Sequence, residues 1–138
     1  MRQTTDTPTT PTLVPLSETH LTLATGPDIR GFEAFDLQGE KIGTVDDLLI
    51  DSQSREVRLV KLTGGGILGI GDKTWLIPVE ALRDVGREAV TLDRDGSHVS
   101  GGPVYQPDVV LPEEERFGPV YDHYGVPPFW VGRVGRSN

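Results

Sequence analysis

Residues 41–63 read KIGTVDDLLIDSQSREVRLVKLT, and the pattern within them decides the fold. Ile42, Leu48 and Ile50 lie on one alternating face, Val45 and Leu49 on the other. Apolar side chains at a spacing of two belong to an extended segment, whose successive residues point to opposite sides. Gly43 and the Asp46-Asp47 pair fit a bend or bulge in a strand that curves around a small barrel. The polar residues 52–55 (SQSR) interrupt the pattern. Residues 56–63 (EVRLVKLT) then repeat it, with Val57 and Leu59 facing opposite Val60 and Leu62.

The same patterning extends in both directions. Upstream, Phe32 and Phe35 sit in a short strand ended by the turn Leu37-Gln38-Gly39-Glu40. Downstream, Gly64, Gly65, Gly66, Gly69 and Gly71 enclose Ile67-Leu68 as a mobile hairpin loop. Residues 73–79 (KTWLIPV) form another strand, with Trp75, Ile77 and Val79 on one face. Pro78 puts the end of that strand at an edge or bulge, because proline cannot donate to a ladder. Residues 80–84 (EALRD) suit one helical turn, and 88–92 (EAVTL) close the set. Short strands at regular spacing predict an all-β sandwich or barrel, and no helical pattern alternates with them.

The chain divides into a disordered Thr/Pro-rich tail over 1–12, an irregular lead-in over 13–28 that packs on the body, and the barrel over 29–93. An aromatic extension over 94–131 and a frayed tail over 132–138 follow. Within the extension, 93–102 reads as loop and 104–111 as extended chain. Pro112 followed by Glu113, Glu114 and Glu115 opens a helix, since proline suits the first position and carboxylates the positive end of the dipole. Phe117, Val120, Tyr121 and Tyr124 then form one helical stripe. Gly118-Pro119 interrupts it, which predicts two short turns rather than one helix. Six of the nine aromatic residues lie here: Tyr105, Phe117, Tyr121, Tyr124, Phe129 and Trp130.

Composition narrows the function. The net charge of −8 opposes nucleic-acid binding, which draws its affinity from neutralised phosphates, and the 13 Lys and Arg form no stripe. Anionic membrane surfaces are disfavoured for the same reason, and no apolar run suits a spanning helix. There is no cysteine, hence no thiolate chemistry and no need of an oxidising compartment. Without an apolar leader at the N-terminus, the expected location is cytoplasmic.

No motif builds a catalytic centre. Gly64, Gly66 and Gly69 satisfy G-x-G-x-x-G, but a dinucleotide site needs a helix to start there, and residues 74–79 read as a strand. A phosphate loop fails as well, because Asp72 stands where its lysine belongs. Asp46, Asp47 and Asp51 lack the glycine turn and distal glutamate of a calcium loop and read as surface carboxylates. His20, His98 and His123 stand far apart in the chain, and Asp122 and His123 are helix neighbours that do not face each other. No catalytic, cofactor or metal residue is assigned. The aromatic residues Phe117, Tyr121, Tyr124, Phe129 and Trp130 either cap the barrel as core or form a docking surface, and the two roles are compatible.

Residues 31–51 (GFEAFDLQGEKIGTVDDLLID) resemble the opening of a PRC-barrel domain. They show an aromatic strand, a turn, the Gly-x-x-Ile-Gly-x-Val of Gly39, Ile42, Gly43 and Val45, and a leucine-rich strand ending in aspartate. The order continues through 57–60 (VRLV), the glycine hairpin, 77–79 (IPV), Ala81-Leu82 and 90–92 (VTL). Pro103, Tyr105, Pro107, Tyr121, Tyr124-Gly125 and 127–130 (PPFW) are similar to the tail of stand-alone bacterial members, so the resemblance covers about residues 13–130.

The resemblance implies a mainly β fold, a small barrel of about six strands, with a short helical and aromatic extension. The cytoplasmic domain of the photosynthetic reaction-centre H subunit and the C-terminal domain of a ribosome maturation factor share that barrel. In both it serves assembly and protein contact, and there is no shared catalytic set to carry over. The chain departs from them in having no membrane helix and no second RNA-processing domain. The expectation is a non-catalytic interaction module without a cofactor, self-associating as a homodimer and docking an unidentified protein. A small-ligand or metal-binding accessory domain tied to electron transfer is the alternative, and an RNA-processing accessory the third.

Overall fold

The computed structural model describes residues 13–24, 26–65, 72–105 and 113–130. Seven strands make one curled, half-barrel sheet: β1 (Leu13–Pro15), β2 (Glu33–Phe35), β3 (Lys41–Asp51), β4 (Val57–Gly65), β5 (Asp72–Pro78), β6 (Leu82–Val85) and β7 (Ala89–Leu92). Two helices follow, α1 (Gly96–Ser100) and α2 (Glu113–Tyr124). The strand order is β5-β4-β3-β2-β7-β6, with β1 also paired to β3. All pairings are antiparallel except β2 with β7.

The strand read from 41–51 has the bounds of β3, and it is the spine of the sheet. β4 lies along one edge of it; β2 and β1 share the other, β2 at its start and β1 at its end. The register between β3 and β4 shifts across Val45 and Asp47, so the bulge falls at the Asp pair. Bulges of this kind bend and twist a strand, which lets a long one curl. Leu48, Ile50, Leu59, Leu62, Ile77, Val90 and Leu92 are fully buried and form the core. Leu49 and Val60 are buried too, so β3 and β4 bury side chains on both faces.

Close approach of β3 and β4 explains two glycines. A Cβ on Gly43 would lie 2.5 Å from the carbonyl oxygen of Thr63, and one on Gly64 would overlap the carbonyl oxygen of Ile42. Gly39 serves a different need: it takes φ +88° in the turn after β2, where a side chain would be strained.

Four local expectations are corrected. The lead-in is not wholly irregular, because Leu13–Pro15 pairs with residues 49–51 of β3. The helical turn expected over 80–84 is a 3-10 turn over Val79–Ala81, and β6 begins at Leu82, drawn into a hairpin with β7. The loop expected over 93–102 contains α1, whose Gly96 amide donates to the carboxylate of Asp36, sixty residues away. Finally, α2 runs as one helix through Pro119. An internal proline costs about 3 kcal/mol, but burial of Phe117, Val120, Tyr121 and Tyr124 is worth about 1.5–3 kcal/mol per side chain. Pro119 itself is exposed, so burial of the stripe wins.

The carboxylates also need correction. Asp46 is exposed, but Asp47 and Asp51 are buried, at 4% and 0% exposure, and Asp36 joins them. Each is satisfied by neighbouring amides and hydroxyls. Asp47 accepts from the Ser17 amide at 3.2 Å, from the Ser17 hydroxyl, and from the Leu48 amide at 2.8 Å. Asp51 accepts from the Gln53 amide at 2.9 Å and organises the turn between β3 and β4. Asp36 accepts from the amides of Gln38, Glu40 and Gly96, each at 2.9 Å, and so ties the turn after β2 to α1.

The amide of Glu40 above all, with those of Gly96, Gln38 and Gly39, holds the Asp36 carboxyl below its ordinary range. A carboxyl lowered on folding stabilises fully above its unfolded value and loses that contribution as pH falls through the lower folded one. Thermal unfolding should therefore show a stability loss below about pH 4, and Asp36→Asn should flatten that limb of the profile. A variant as acid-sensitive as the parent would refute the assignment.

Candidate interaction site

Helix α2 opens on three glutamates, which suit the positive end of a helix, and places its apolar stripe against β5. Phe117, Val120, Tyr121 and Tyr124 are 4%, 2%, 0% and 3% exposed. The helix ends where Gly125 takes φ +68°. The Gly125 amide donates to the carbonyl of Asp122 at 3.2 Å, and the Val126 amide to that of Tyr121 at 3.1 Å. This paired closure, with glycine in the left-handed region, is a stable way to stop a helix. Pro127 and Pro128 separate it from Phe129 and Trp130, where the chain turns helical again.

The chain then folds back on itself. Trp130 meets Tyr121 edge-on, with ring centroids 5.6 Å apart at 83°, and Phe129 lies 6.3 Å from Tyr121. Phe129 and Trp130 are themselves edge-to-face at 5.2 Å. Arg58, reaching from β4 and paired with Glu56 at 3.0 Å, lies 5.0 Å from the centre of the Phe129 ring. Edge-on aromatic pairs and a cation over a ring are both attractive. The cluster thus starts in the core at Tyr121 and ends at a rim where Phe129 and Trp130 are only partly buried.

Of the five aromatic residues named as candidates, Phe117, Tyr121 and Tyr124 therefore lie in the core. Phe129 and Trp130 alone present surface. Burial also raises the Tyr124 phenol well above its ordinary value. Of the five glycines, Gly64 and Gly65 are rungs of the β4–β5 ladder, opposite Lys73 and Asp72. Gly66, Gly69 and Gly71 lie outside the described residues, as do 1–12, Pro112 and 131–138. Among the described residues, β4 runs to Gly65 and β5 begins at Asp72, a strand where a dinucleotide site would need a helix.

One edge of the sheet is covered by the extension. Val104 bridges to Trp75, and the Tyr105 amide donates to the carbonyl of Thr74 at 2.7 Å. Lys61 and Arg116 flank the Tyr105 ring, 4.8 and 5.4 Å from its centre. Among the described residues no group of three or more His, Asp or Glu is arranged to hold a metal ion, and no helix is long and apolar enough to cross a membrane. Sequence reasoning missed one cluster: His98 and His123 are brought together, although twenty-five residues separate them.

Residues 22–99, more than half of the chain, match the family model of the PRC-barrel domain. The chain belongs to the PRC-barrel family. The match takes in β2 to β7 and most of α1 and stops short of α2, so the aromatic rim lies beyond the PRC-barrel model. No curated protein matches the chain. The seven strands exceed the barrel's expected number of about six; β1, the short strand along the end of β3, lies outside the PRC-barrel match.

Proposed function

We propose that this PRC-barrel chain is a non-catalytic interaction module that associates with a second copy of itself through the Phe129–Trp130 rim. The observation that carries this reading is the partial exposure of those two rings at the end of a cluster anchored by fully buried Tyr121. Partly exposed aromatic residues held rigid by a packed base lose little entropy on contact, and Trp is enriched at the centres of interfaces. The neighbouring Arg58 supplies a second residue type of the kind that anchors interfaces.

The test is sedimentation velocity and light scattering over a range of concentrations. Trp130→Ala should weaken self-association about tenfold or more, and Glu80→Ala, at an exposed position far along the chain, should leave it unchanged. Asp47 is unsuitable as a control, because its carboxylate holds Ser17 and its loss would disturb β3. A parent that stays monomeric at every concentration, or equal behaviour of the two variants, would count against the proposal.

A small-ligand reading has one observation in its favour. An open groove of about 540 Å³ lies beside the lead-in, lined by Ser17, Thr19, His20, Thr22, Asp28 and Arg30 among others. Native mass spectrometry of protein purified without added metal separates the readings, since a resident ligand adds a fixed mass.

A further inference from the structure

Part of the lead-in leaves its main chain without a partner. From His20 to Leu23 the chain runs with no turn, bend or helix, and Thr19 before it is extended, at φ −128° and ψ 170°. Both flanks are fixed. Leu16 and Ile29 are buried, the Ser17 amide donates to Asp47 at 3.2 Å, and the Ala24 amide donates to the Arg55 carbonyl at 3.0 Å. Between these anchors the Leu21 amide donates to the Thr19 hydroxyl at 3.1 Å. Among the described residues, no protein group meets the amides of His20, Thr22 and Leu23 or the carbonyls of residues 20–23.

Alternation decides which of these groups face outward. In a straight segment, neighbouring residues turn their main-chain groups to opposite sides. The Ala24 amide faces the body at Arg55, so the Leu23 amide and the carbonyls of Leu21 and Leu23 face away from it. Side chains alternate as well. Leu21, 37% exposed, and half-buried Leu23 share one side, and exposed Thr22 lies on the other.

Unpaired main chain of this kind accepts another strand. The other edges do not invite a second copy. That of β5 is taken by Val104 and Tyr105. That of β6, which pairs with β7 alone among the described residues, is guarded by charge. Antiparallel pairs alternate between hydrogen-bonded and not, and a pair and its symmetry mate must be of one kind. A two-fold axis therefore sets some residue opposite itself. In the middle of β6 this puts Arg83 against Arg83 or Asp84 against Asp84 of a second copy, and like charges directly opposite repel. The lead-in has the reverse property. With the axis at Thr22, threonine faces threonine, each Leu21 faces Leu23 of the other copy, and His20 faces Ala24. Residues 19–24 contain no Asp, Glu, Lys or Arg. The hydrogen-bonded pairs are then Leu21 with Leu23, and the open Leu23 amide meets the open Leu21 carbonyl twice by symmetry.

We propose that residues His20–Ala24 form a second self-association surface, which pairs antiparallel with the same segment of another copy about Thr22. Leu21 and Leu23 also line the open groove beside the lead-in, so the paired segment covers it. This surface is separate from the Phe129–Trp130 rim and stands whether or not that rim docks a partner.

The chain has no cysteine, so single cysteines report the register. Residues opposite each other in a non-bonded pair have Cα atoms about 4.5 Å apart, within the span that a disulfide bridges. Under mild oxidation Thr22→Cys should give a disulfide-linked dimer about tenfold faster than Leu21→Cys, Leu23→Cys or Glu80→Cys, the last at an exposed site. At positions 21 and 23 each cysteine faces a leucine of the other copy. Adding Leu21→Asp to Thr22→Cys should remove the advantage, because a carboxylate then meets Leu23. Adding Trp130→Ala should leave it intact, which separates loss of this pairing from loss of the rim contact. Equal rates at 21, 22 and 23, a fastest rate at any other position, or a Thr22→Cys rate no higher than that of Glu80→Cys would overturn the pairing.

Discussion

Tyr121→Ala is expected to destabilise the protein by about 3–5 kcal/mol, the usual cost of truncating a fully buried aromatic side chain. Tyr121 has no exposed surface, sits mid-stripe on α2 and supports both Phe129 and Trp130. Its removal leaves a cavity between helix and sheet that the backbone of β5 cannot collapse to fill, so the contact loss adds to the lost burial. Since a domain of this kind is stable by about 5–15 kcal/mol, much of the margin goes at once. Urea unfolding reads the loss as a lowered midpoint at an unchanged slope. A loss below about 1 kcal/mol would mean that α2 does not seat on the sheet as described.

Gly64→Ala should cost about 3 kcal/mol or more, at the upper end of the overpacking range. The obstacle is backbone: the added methyl would overlap the carbonyl oxygen of Ile42, in the main chain of β3. No side-chain rotation relieves that contact; the ladder has to open. Gly118→Ala is the informative comparison. It lies in α2 with nothing beyond its chain neighbours within 4 Å of the added Cβ, so only crowding by the ring of the following Pro119 opposes the helix preference of alanine, and the net change should stay within about 1 kcal/mol. Circular dichroism with urea titration separates the two. Equal and small effects would show that β3 and β4 do not approach as closely as the geometry requires.

Both substitutions act on features with very different visibility in the chain. The β3 pattern was readable because alternation is a local property: the strand expected over 41–51 is the strand found, and its bulge lies at Asp46-Asp47. The stripe Phe117, Val120, Tyr121, Tyr124 was equally readable, although the proline within it argued for a break that tertiary burial overrode. The aromatic candidates were therefore found by the right signal, while their division into three core residues and two rim residues was not foreseeable. Helical spacing says which side chains share a face. It does not say how much of that face its neighbours cover.

Apolar spacing and turn glycines carried the mainly β architecture and the approximate position of most strands, because each depends on residues within a few positions of one another, and the order of the short motifs carried the resemblance to the family. The fates of the polar groups lay beyond such information. Asp47 is buried because Ser17 reaches it from thirty residues away, Asp36 because Gly96 does so from sixty, and His98 meets His123 because two helix ends converge on β5. A carboxylate or imidazole is solvated by whatever the folded chain brings to it, and that neighbourhood does not exist until the sheet has curled.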